Sequence, residues 1–406
     1  MSAENGQSQP VILSGARTPI GKLMGGLASL SAPQLGAIAI REAVARAGID
    51  PATVDEAIMG QVVQAGAGQA PARQAAVQGG LPGTVGATTV NKVCGSGLKA
   101  VMMAANAIKA GDGALYVAGG MESMSQAPHL VREMRAGNRF GDVKLLDANI
   151  QDALWCSLEH WMMGDAAEFI AQEFEVRRAE MDEFAYHSHQ KAVAAIDAGR
   201  FRDEIVPVEV QQKGKTARVE TDEGPRRDTS IAALGALRPA FGEDGSITAG
   251  NAPGLNDGAA ALVVASRARA DELGIRPLAR IVAYGQAAVD PHWLFSAPAK
   301  AIPIVVKKAG WTLDQVDLVE VNEAFAAQTL ANARDLTRQG FNWDWNKVNV
   351  NGGAIALGHP VGCSGARVLV TLIYALKARG LKRGLASLCL GGGEAVAMAV
   401  EMEDRQ

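Results

Sequence analysis

Cys94 is the residue whose type and position most strongly suggest chemistry. It follows an apolar strand predicted over Thr88–Val93 and precedes a Gly-Ser-Gly turn that opens a helix predicted over Leu98–Lys109. A thiol at the first turn of a helix faces unpaired backbone N–H groups and the positive end of the helix dipole, which lower its pKa and favour the thiolate. The alternative is a buried structural cysteine in a turn. Other residues of the chain favour the nucleophile.

His359 is the candidate base for this thiol. It lies in Asn351–Pro360, a loop of small residues in which Gly358 and Pro360 restrict the backbone. Such a loop offers an imidazole no packing partner, so we expect the ring at a point where the chain passes close to a substrate. We interpret the other histidines as surface residues. These are His129, His160, His187, His189 and His292.

Two more polar side chains stand at predicted strand ends. Cys389 precedes Gly391–Gly393, a run that leaves backbone N–H groups free near a ligand, so this thiol could act as an acid and base in carbon chemistry. The alternative is a core residue of the last strand. Asn322 ends the apolar strand Leu318–Val321 and either orients a water or closes an Asx turn.

Motifs for metals and nucleotide cofactors are missing from the sequence. It contains no Walker loop, no H-E-x-x-H and no G-x-G-x-x-G dinucleotide fingerprint. Cys156 and His160 are four residues apart on a predicted helix, which is half of a metal site, but no further ligands lie nearby. We therefore predict no metal.

Charge and composition exclude several classes of protein. The chain has 406 residues with Lys+Arg 39 against Asp+Glu 43, a net charge of −4, which is too even for a nucleic-acid or membrane-surface binder. We find no apolar run approaching the ~18 residues that cross a bilayer. Four scattered cysteines without a C-x-x-C pair, and a start at Met1–Pro10 unlike a targeting peptide, predict a reducing cytoplasm.

Two internal repeats predict a duplicated α/β protein. Ala37–Asp55 and Ala299–Asp317 both read as amphipathic helices that end in Ala-Gly and lead to a short strand. Val93–Gly97 and Gly362–Gly365 each open a helix that leads to an apolar strand, the second over Ala366–Ala378. With 46 glycines and 5% aromatic residues, such a core is typical of an α/β fold.

The repeats also predict a division of the chain. We place one half at residues 1–273 and the other at 274–406. Between about residues 121 and 250 the sequence becomes charged and rich in Met and aromatic residues, with helices that lack strand partners. We interpret this stretch as an insertion in the first half.

Five blocks of sequence, in order along Val11–Glu401, resemble the thiolase family. The one around Cys94 is most similar to the acetyl-CoA acetyltransferase (acetoacetyl-CoA thiolase) branch. The blocks are V-N-K-V-C-G-S-G-L-K-A-V, G-G-M-E-S-M-S-Q-A-P, V-N-E-A-F-A, N-G-G-A-I-A-L-G-H-P-V-G-C-S-G-A-R and C-L-G-G-G.

The resemblance implies a five-layered αβαβα fold of two similar halves with an inserted loop domain. It implies a homodimer and a homotetramer of two dimers, with part of Gln126–Asp147 forming the tetramer contacts. Coenzyme A thioesters would be the substrates, and no metal or organic cofactor would be needed.

The resemblance also implies roles for the residues above. Cys94 would accept the acyl group, and His359 would activate it and donate into one oxyanion hole, which a water held by Asn322 completes. Cys389 would exchange the α-proton of the second acetyl-CoA. The backbone N–H groups of Cys94 and Gly391 would form the second oxyanion hole.

The implied activity is the reversible Claisen condensation of two acetyl-CoA to acetoacetyl-CoA and CoA through an acyl-cysteine. A 3-ketoacyl-CoA thiolase of fatty-acid β-oxidation with broader chain length is the alternative. The block at Cys389 argues against a ketoacyl synthase, and the presence of all the reactive groups argues against a non-catalytic scaffold.

Contacts to coenzyme A are implied at seven positions. They are Leu154, Met163, Arg226, Phe241, Ala249, Ala252 and Phe325. The chain departs from the acetoacetyl-CoA branch at Met162, where His is common, and at Pro253, where Ser is frequent. The stretch Leu294–Pro298 departs from the usual glycine-containing version, so we expect an acyl pocket that accepts chains longer than acetyl.

Overall fold

The structure is a computed structural model, and it describes residues 7–212 and 214–403, apart from the side chain of Gln212. Within these residues the helices are α1 (Ala32–Ala47), α2 (Pro71–Gln78), α3 (Ser96–Ala110), α4 (Met163–Glu173), α5 (Arg178–Asp197), α6 (Ile231–Gly235), α7 (Arg267–Glu272), α8 (Pro298–Ala309), α9 (Ala326–Arg338), α10 (Ala354–Leu357) and α11 (Val361–Arg379).

The strands of the same residues are β1 (Pro10–Arg17), β2 (Gly21–Lys22), β3 (Glu56–Gly60), β4 (Gly86–Val90), β5 (Leu115–Ser123), β6 (His129–Leu130), β7 (Leu146–Asp147), β8 (Trp155–Cys156), β9 (Trp161–Met162), β10 (Val208–Gln212), β11 (Lys215–Val219), β12 (Asn256–Ser266), β13 (Ala279–Ala288), β14 (Leu318–Val321), β15 (Arg383–Leu390) and β16 (Glu394–Met402).

A mixed ten-stranded sheet organises the molecule. Nine strands follow the order β14-β15-β16-β13-β1-β12-β5-β3-β4, and β2 pairs with the start of β12. The sheet has two parts, which meet only through the short antiparallel pairing of Val11 with Arg280 and of Ile12 with Ala279. The chain between β5 and β12 adds α4, α5, α6 and three separate two-stranded ribbons.

The two parts of the sheet repeat one topology. Numbered by their order along the chain, strands β1, β3, β4, β5 and β12 lie side by side as 3-2-4-5-1. Strands β13, β14, β15 and β16 give the same order if the segment at Val348 is counted as a further strand. That segment follows β14 in the chain and pairs with it through the single bridge between Val319 and Val348. Parallel and antiparallel pairings also correspond. This correspondence agrees with the internal sequence repeats.

Helices cover both faces of each part and produce five layers. Ile12 of β1 belongs to a core shared with α3 and α11, whereas its neighbours Val11 and Leu13 belong to an outer core shared with α1 and α2. This alternation is expected of a strand buried on both faces. On β13, Tyr284 reaches Asn106 of α3, and Gly285 lies against Val305 of α8. Helices α3 and α11 are therefore the central layer.

Three expected elements differ from the observed ones. The strand before Cys94 is Gly86–Val90, because Val93 has φ 45° and belongs to a turn. Residues 155–162 form the hairpin β8–β9 rather than a helix, so the expected helical pairing of Cys156 with His160 is wrong. Helix α11 begins at Val361, five residues before the predicted start, since the small residues at its beginning pack against α3.

The longer α11 also corrects the analysis of apolar runs. Among the described residues it is the one helix that is long and apolar enough to cross a bilayer, and most of it is buried within the protein. It also carries the buried Arg367. Its position in the central layer accounts for this composition, because a helix packed on all sides is apolar all round.

Candidate active site

The beginnings of α3 and α11 meet at the centre of the molecule. A Cβ added to Gly97 would lie 2.6 Å from the backbone nitrogen of Ala366, and one added to Gly365 would collide with the backbone nitrogen of Leu98. Only glycine allows such close backbone approach. The crossing brings together the two loops that precede these helices. Those loops carry Cys94 and His359.

Cys94 and His359 are each preceded by a residue of positive φ. Val93, before Cys94, has φ 45°, and Gly358, before His359, has φ 115°. A positive φ is strained for a β-branched residue such as Val93 and persists only where the surrounding structure fixes it. Hydrogen bonds from the Ser96 hydroxyl and backbone N–H to the Val93 carbonyl fix this turn. The turn directs Cys94 toward a cavity.

This cavity has a volume of about 70 Å³ and contains all three predicted reactive side chains. Cys94, His359 and Cys389 line it together with Gly391, as their types suggested. Its other walls are mostly apolar. They comprise Met124, Ala153, Leu154, Met163, Pro253, Gly254, Leu255, Phe295, Ala324, Phe325, Val361 and Leu390.

The surroundings of the Cys94 thiol shift its pKa. Burial raises its pKa to about 11, and hydrogen bonds from the backbone N–H groups of Gly391 and of Cys94 itself oppose that rise. The expected thiolate at the helix start is therefore wrong for the free site, because loss of solvent outweighs the helix dipole. The two N–H groups lie beside the Cys94 sulfur, where an acyl group on that sulfur would be attached.

His359 is held as a neutral base. Its Nδ1 lies 2.6 Å from the Ser364 hydroxyl, which donates its own proton to the Pro360 carbonyl at 2.9 Å. Ser364 can then only accept from Nδ1–H, so Nε2 carries the free lone pair. Burial, and secondarily the charge of Arg367, lower the pKa of His359 to about 3.

Asn322 lies against that lone pair. Its Nδ2 is 3.4 Å from His359 Nε2, and among the residues described its Oδ1 has no hydrogen-bond partner. The neighbouring Glu323 is buried and accepts from Ser188, Asn349 and the backbone N–H of Ile355, which fixes the loop. Asn322 is therefore positioned to hold a further polar group beside His359.

Cys389 is the next-to-last residue of β15 and lines the same cavity. It is buried, and burial, together with the nearby Cys94, raises its pKa well above the ordinary value. The glycines that follow turn the chain into β16, with φ of 84° at Gly392 and 93° at Gly393. The turn leaves the N–H of Gly391 directed at Cys94.

Sequence reasoning missed two residues that build the site. Ser364 sets the orientation of His359, and its signal was its place five residues beyond that histidine in the first turn of a helix. Glu122 is a buried carboxylate that accepts from the backbone N–H groups of Val62, Val63 and Gly362. Burial raises the pKa of Glu122 to about 8 despite these three bonds. A charged residue inside the apolar strand β5 was its signal.

The seven implied coenzyme A positions divide into two groups. Leu154, Met163 and Phe325 line the cavity, whereas the other four lie outside it. Those four are the exposed Arg226 and Ala249, the half-buried Ala252, and Phe241, which packs on Gly164. The surface interpretation of His189 is wrong. It is 3% exposed, and its Nδ1 accepts from the Arg226 N–H.

None of the described residues forms a group of three or more His, Cys, Asp or Glu side chains that could hold a metal ion. The reactive groups of the cavity are thus two thiols, one imidazole and convergent backbone N–H groups. Such a set suits the transfer of an acyl group to sulfur followed by proton transfer at carbon.

Comparison with known proteins agrees with this fold and site. Residues 10–268 match the thiolase N-terminal domain, and residues 275–402 match the thiolase C-terminal domain. The chain therefore belongs to the thiolase family, and the predicted fold class is confirmed.

Relatives with assigned names are similar over nearly the whole chain. An acetyl-CoA acetyltransferase of Cupriavidus necator is 54% identical, with 96% of this chain and 98% of that protein covered. One of Pseudomonas aeruginosa is 52% identical over the same shares. The crystal structure of the Bacillus anthracis acetyl-CoA acetyltransferase has a TM-score of 0.95 at 43% identity, covering 98% of this chain and 100% of that one.

Proposed function

We propose that this thiolase is an acetyl-CoA C-acetyltransferase, which interconverts two acetyl-CoA with acetoacetyl-CoA and CoA. The observation that carries the proposal is the convergence of Cys94, His359 and Cys389 on one small cavity, with the Gly391 N–H at the Cys94 sulfur. The names of relatives about 50% identical over the full chain support it.

The first stage transfers the acetyl group to Cys94. The sulfur attacks the thioester carbonyl carbon while its proton passes to His359 Nε2, which then protonates the departing CoA sulfur. A protonated resting thiol needs this base, and the lowered pKa of His359 keeps the base unprotonated at neutral pH. Negative charge on the carbonyl oxygen is stabilised by His359 and a water held by Asn322.

The second stage joins the methyl carbon of a second acetyl-CoA to the acyl carbon held on Cys94. The Cys389 thiol first passes its proton to His359, which the first stage leaves unprotonated. The Cys389 thiolate then removes a proton from the methyl group of a second acetyl-CoA, and the resulting carbanion attacks the acyl carbon as its bond to Cys94 breaks. The proton on His359 passes to the Cys94 sulfur, and Cys389 keeps the proton taken from the substrate, so both thiols end protonated. The raised pKa of Cys389 makes its thiolate a strong base, which suits a weakly acidic C–H group.

The backbone N–H groups of Cys94 and Gly391 would stabilise the tetrahedral intermediate on Cys94. Leu154, Met163 and Phe325 would contact the pantetheine, and Arg226, Phe241, Ala249 and Ala252 would contact the remainder of coenzyme A. No metal or organic cofactor enters these steps.

We also infer the expected assembly and organisation of the chain. The two halves would be residues 1–273 and 274–406, with an insertion at about 121–250, in a cytoplasmic homodimer or homotetramer. Exposed apolar side chains within residues 126–147 support the tetramer contact. These are Met134, Phe140, Val143 and Leu145.

CoA-dependent cleavage of acetoacetyl-CoA tests the proposed activity. We expect the wild-type protein to convert it to two acetyl-CoA, and the absence of such cleavage would contradict the proposal. Cys389→Ala should still form an acetyl adduct on Cys94, visible by mass spectrometry, but should fail to form the carbon–carbon bond. Unchanged condensation by that variant would remove Cys389 from its role.

A further inference from the structure

Phe295 occupies part of the cavity that holds the reactive groups. It lies in the short 3₁₀ segment Pro291–Ser296, between β13 and α8, and is 4% exposed. Its side chain lines the cavity and belongs to the same apolar cluster as Cys389 and Ala324. The large ring is thus part of the wall of the reactive centre, in the stretch that departs from the usual glycine-containing sequence.

Contacts on several sides hold the ring in place. It packs at 65° on the ring of Phe325, with 5.4 Å between the ring centroids. The backbone carbonyl of Phe295 accepts from Asn332 Nδ2 at 2.9 Å, and Asn332 Oδ1 accepts from the N–H of Ala299 at 3.2 Å. These bonds tie the segment to α9 and to the start of α8. Moving the ring aside would break its packing on Phe325, and moving the whole segment would also break these buried hydrogen bonds.

Because the cavity is small, the ring of Phe295 affects how large an acyl group can enter. A pocket that encloses a drug-sized ligand measures roughly 300–1,000 Å³. The cavity around Cys94 measures about 70 Å³, and Phe295, Met124 and Leu390 are among the large side chains that bound it. Because Leu154, Met163 and Phe325 of the same cavity would contact the pantetheine, the part of this space left for the acyl group suits one as small as acetyl. The structure thus favours the opposite of the pocket for longer chains expected from residues 294–298.

We infer that Phe295 sets the upper limit on acyl chain length and restricts this enzyme to acetyl and acetoacetyl thioesters. The inference rests on the proposed function and specifies its substrate class. Where a close-packed wall stops the chain, each additional methylene must displace the ring. A single methylene that a pocket cannot accommodate changes kcat/KM by about 10- to 200-fold.

The test compares two substrates in two variants. The measured quantity is kcat/KM for CoA-dependent cleavage of 3-ketooctanoyl-CoA divided by kcat/KM for acetoacetyl-CoA. Phe295→Ala should raise this ratio at least about tenfold over the wild-type value. Phe174→Ala is the matched control, because Phe174 is buried in the same apolar cluster but lies outside the cavity. The control should lose similar stability and keep the wild-type ratio.

The outcomes separate the two proposals. A wild-type enzyme that cleaves acetoacetyl-CoA, with a ratio that rises only in the Phe295 variant, supports the inference. An unchanged ratio in a folded Phe295→Ala protein, or equal use of both substrates by the wild type, overturns it and leaves the thiolase activity standing. If Phe295→Ala does not fold, the same ratio is measured for Phe295→Leu. A higher ratio than wild type supports the inference, and an unchanged one overturns it. A wild type that cleaves neither substrate overturns the proposed function itself.

Discussion

The starts of α3 and α11 occupy equivalent places in the two parts of the fold, yet they present different groups to the cavity. Before α3 the chain presents a thiol, Cys94, and before α11 it presents an imidazole, His359. Both follow a residue of positive φ, and both helices cross at a glycine. A duplicated frame thus supplies the proposed nucleophile and the proposed base from two copies of the same structural element.

The serines of the two helix starts show how the frame is reused. The Ser96 hydroxyl donates to the Val93 carbonyl at 2.6 Å and accepts from the Lys92 N–H at 2.8 Å. The Ser364 hydroxyl donates to the Pro360 carbonyl and accepts from His359. Ser96 makes both of its hydrogen bonds to the backbone of its turn, whereas Ser364 makes one to the backbone and one to the imidazole of His359.

The cysteines of the two starts differ most in their surroundings. Cys94 lies before the first residue of α3 and is half-buried at the cavity, whereas Cys363 is the third residue of α11 and is 1% exposed. Burial raises the pKa of Cys363 to about 12. A shift of a few positions along the same element therefore separates the proposed nucleophile from a cysteine packed in the core.

Replacing each cysteine gives the largest expected contrast. Cys94→Ala should lower turnover by about 10⁶-fold, the loss seen when a nucleophile is removed from a serine protease. Cys363→Ala should retain wild-type activity, because its thiol is packed in the core. Mass spectrometry after incubation with acetyl-CoA measures the adduct directly. An adduct of undiminished yield in Cys94→Ala would end the assignment.

The sequence alone predicted the α/β class, the duplication and the candidate residues that meet at the cavity, because strand and helix patterns and unusual residues in glycine-rich loops are local signals. It did not predict the start of α11 or the role of Ser364, since both depend on how two distant segments cross. It also failed to predict that Cys94 is protonated in the free site. Helix position is readable from sequence, whereas the burial that raises the thiol pKa is a property of the assembled fold.

Replacing Ser364 tests whether this serine orients His359. Ser364→Ala should lower kcat by about 10- to 100-fold with little change in KM, a loss of the size seen when the partner that orients a metal-bound histidine is removed. Ser364→Thr should recover part of it, because the hydroxyl is restored. Ser96→Ala is the matched variant from the other helix.

The state of the His359 ring distinguishes positioning from general loss of structure. In the wild type, ¹⁵N spectra of histidine-labelled protein should show a His359 protonated at Nδ1. Ser364→Ala should lose this single tautomer, and Ser96→Ala should keep it. An unchanged tautomer in Ser364→Ala would contradict the role given to the serine.

Adding a methyl group at the crossing tests the shared frame. Gly97→Ala and Gly365→Ala each place a Cβ against backbone of the other helix, so each should destabilise the protein by about 1–3 kcal/mol. Gly235→Ala is the control, because a Cβ there would meet no described atom within 4 Å. Thermal unfolding at one protein concentration measures all three. Equal melting temperatures for Gly97→Ala and wild type would show that the helices can separate without cost.

The last comparison concerns how the stability contributed by each of the two helix starts responds to pH. The folded pKa of His359, about 3, lies below its ordinary 6.5, so the unfolded chain binds more protons between these values. Stability should therefore fall as pH drops below 6.5, by up to about 1.4 kcal/mol per pH unit from this ring. His359→Ala should show a weaker acid dependence of stability than wild type, and replacement of the exposed His187 should not.

The start of α3 behaves in the opposite sense. The folded pKa of Cys94, about 11, lies above the ordinary 9.0, so the contribution of this thiol to stability is lost as pH rises from 9 to 11. Equal acid dependence in wild type and His359→Ala would mean that the ring is not held neutral, and the assignment of Nε2 as a free base would fail with it.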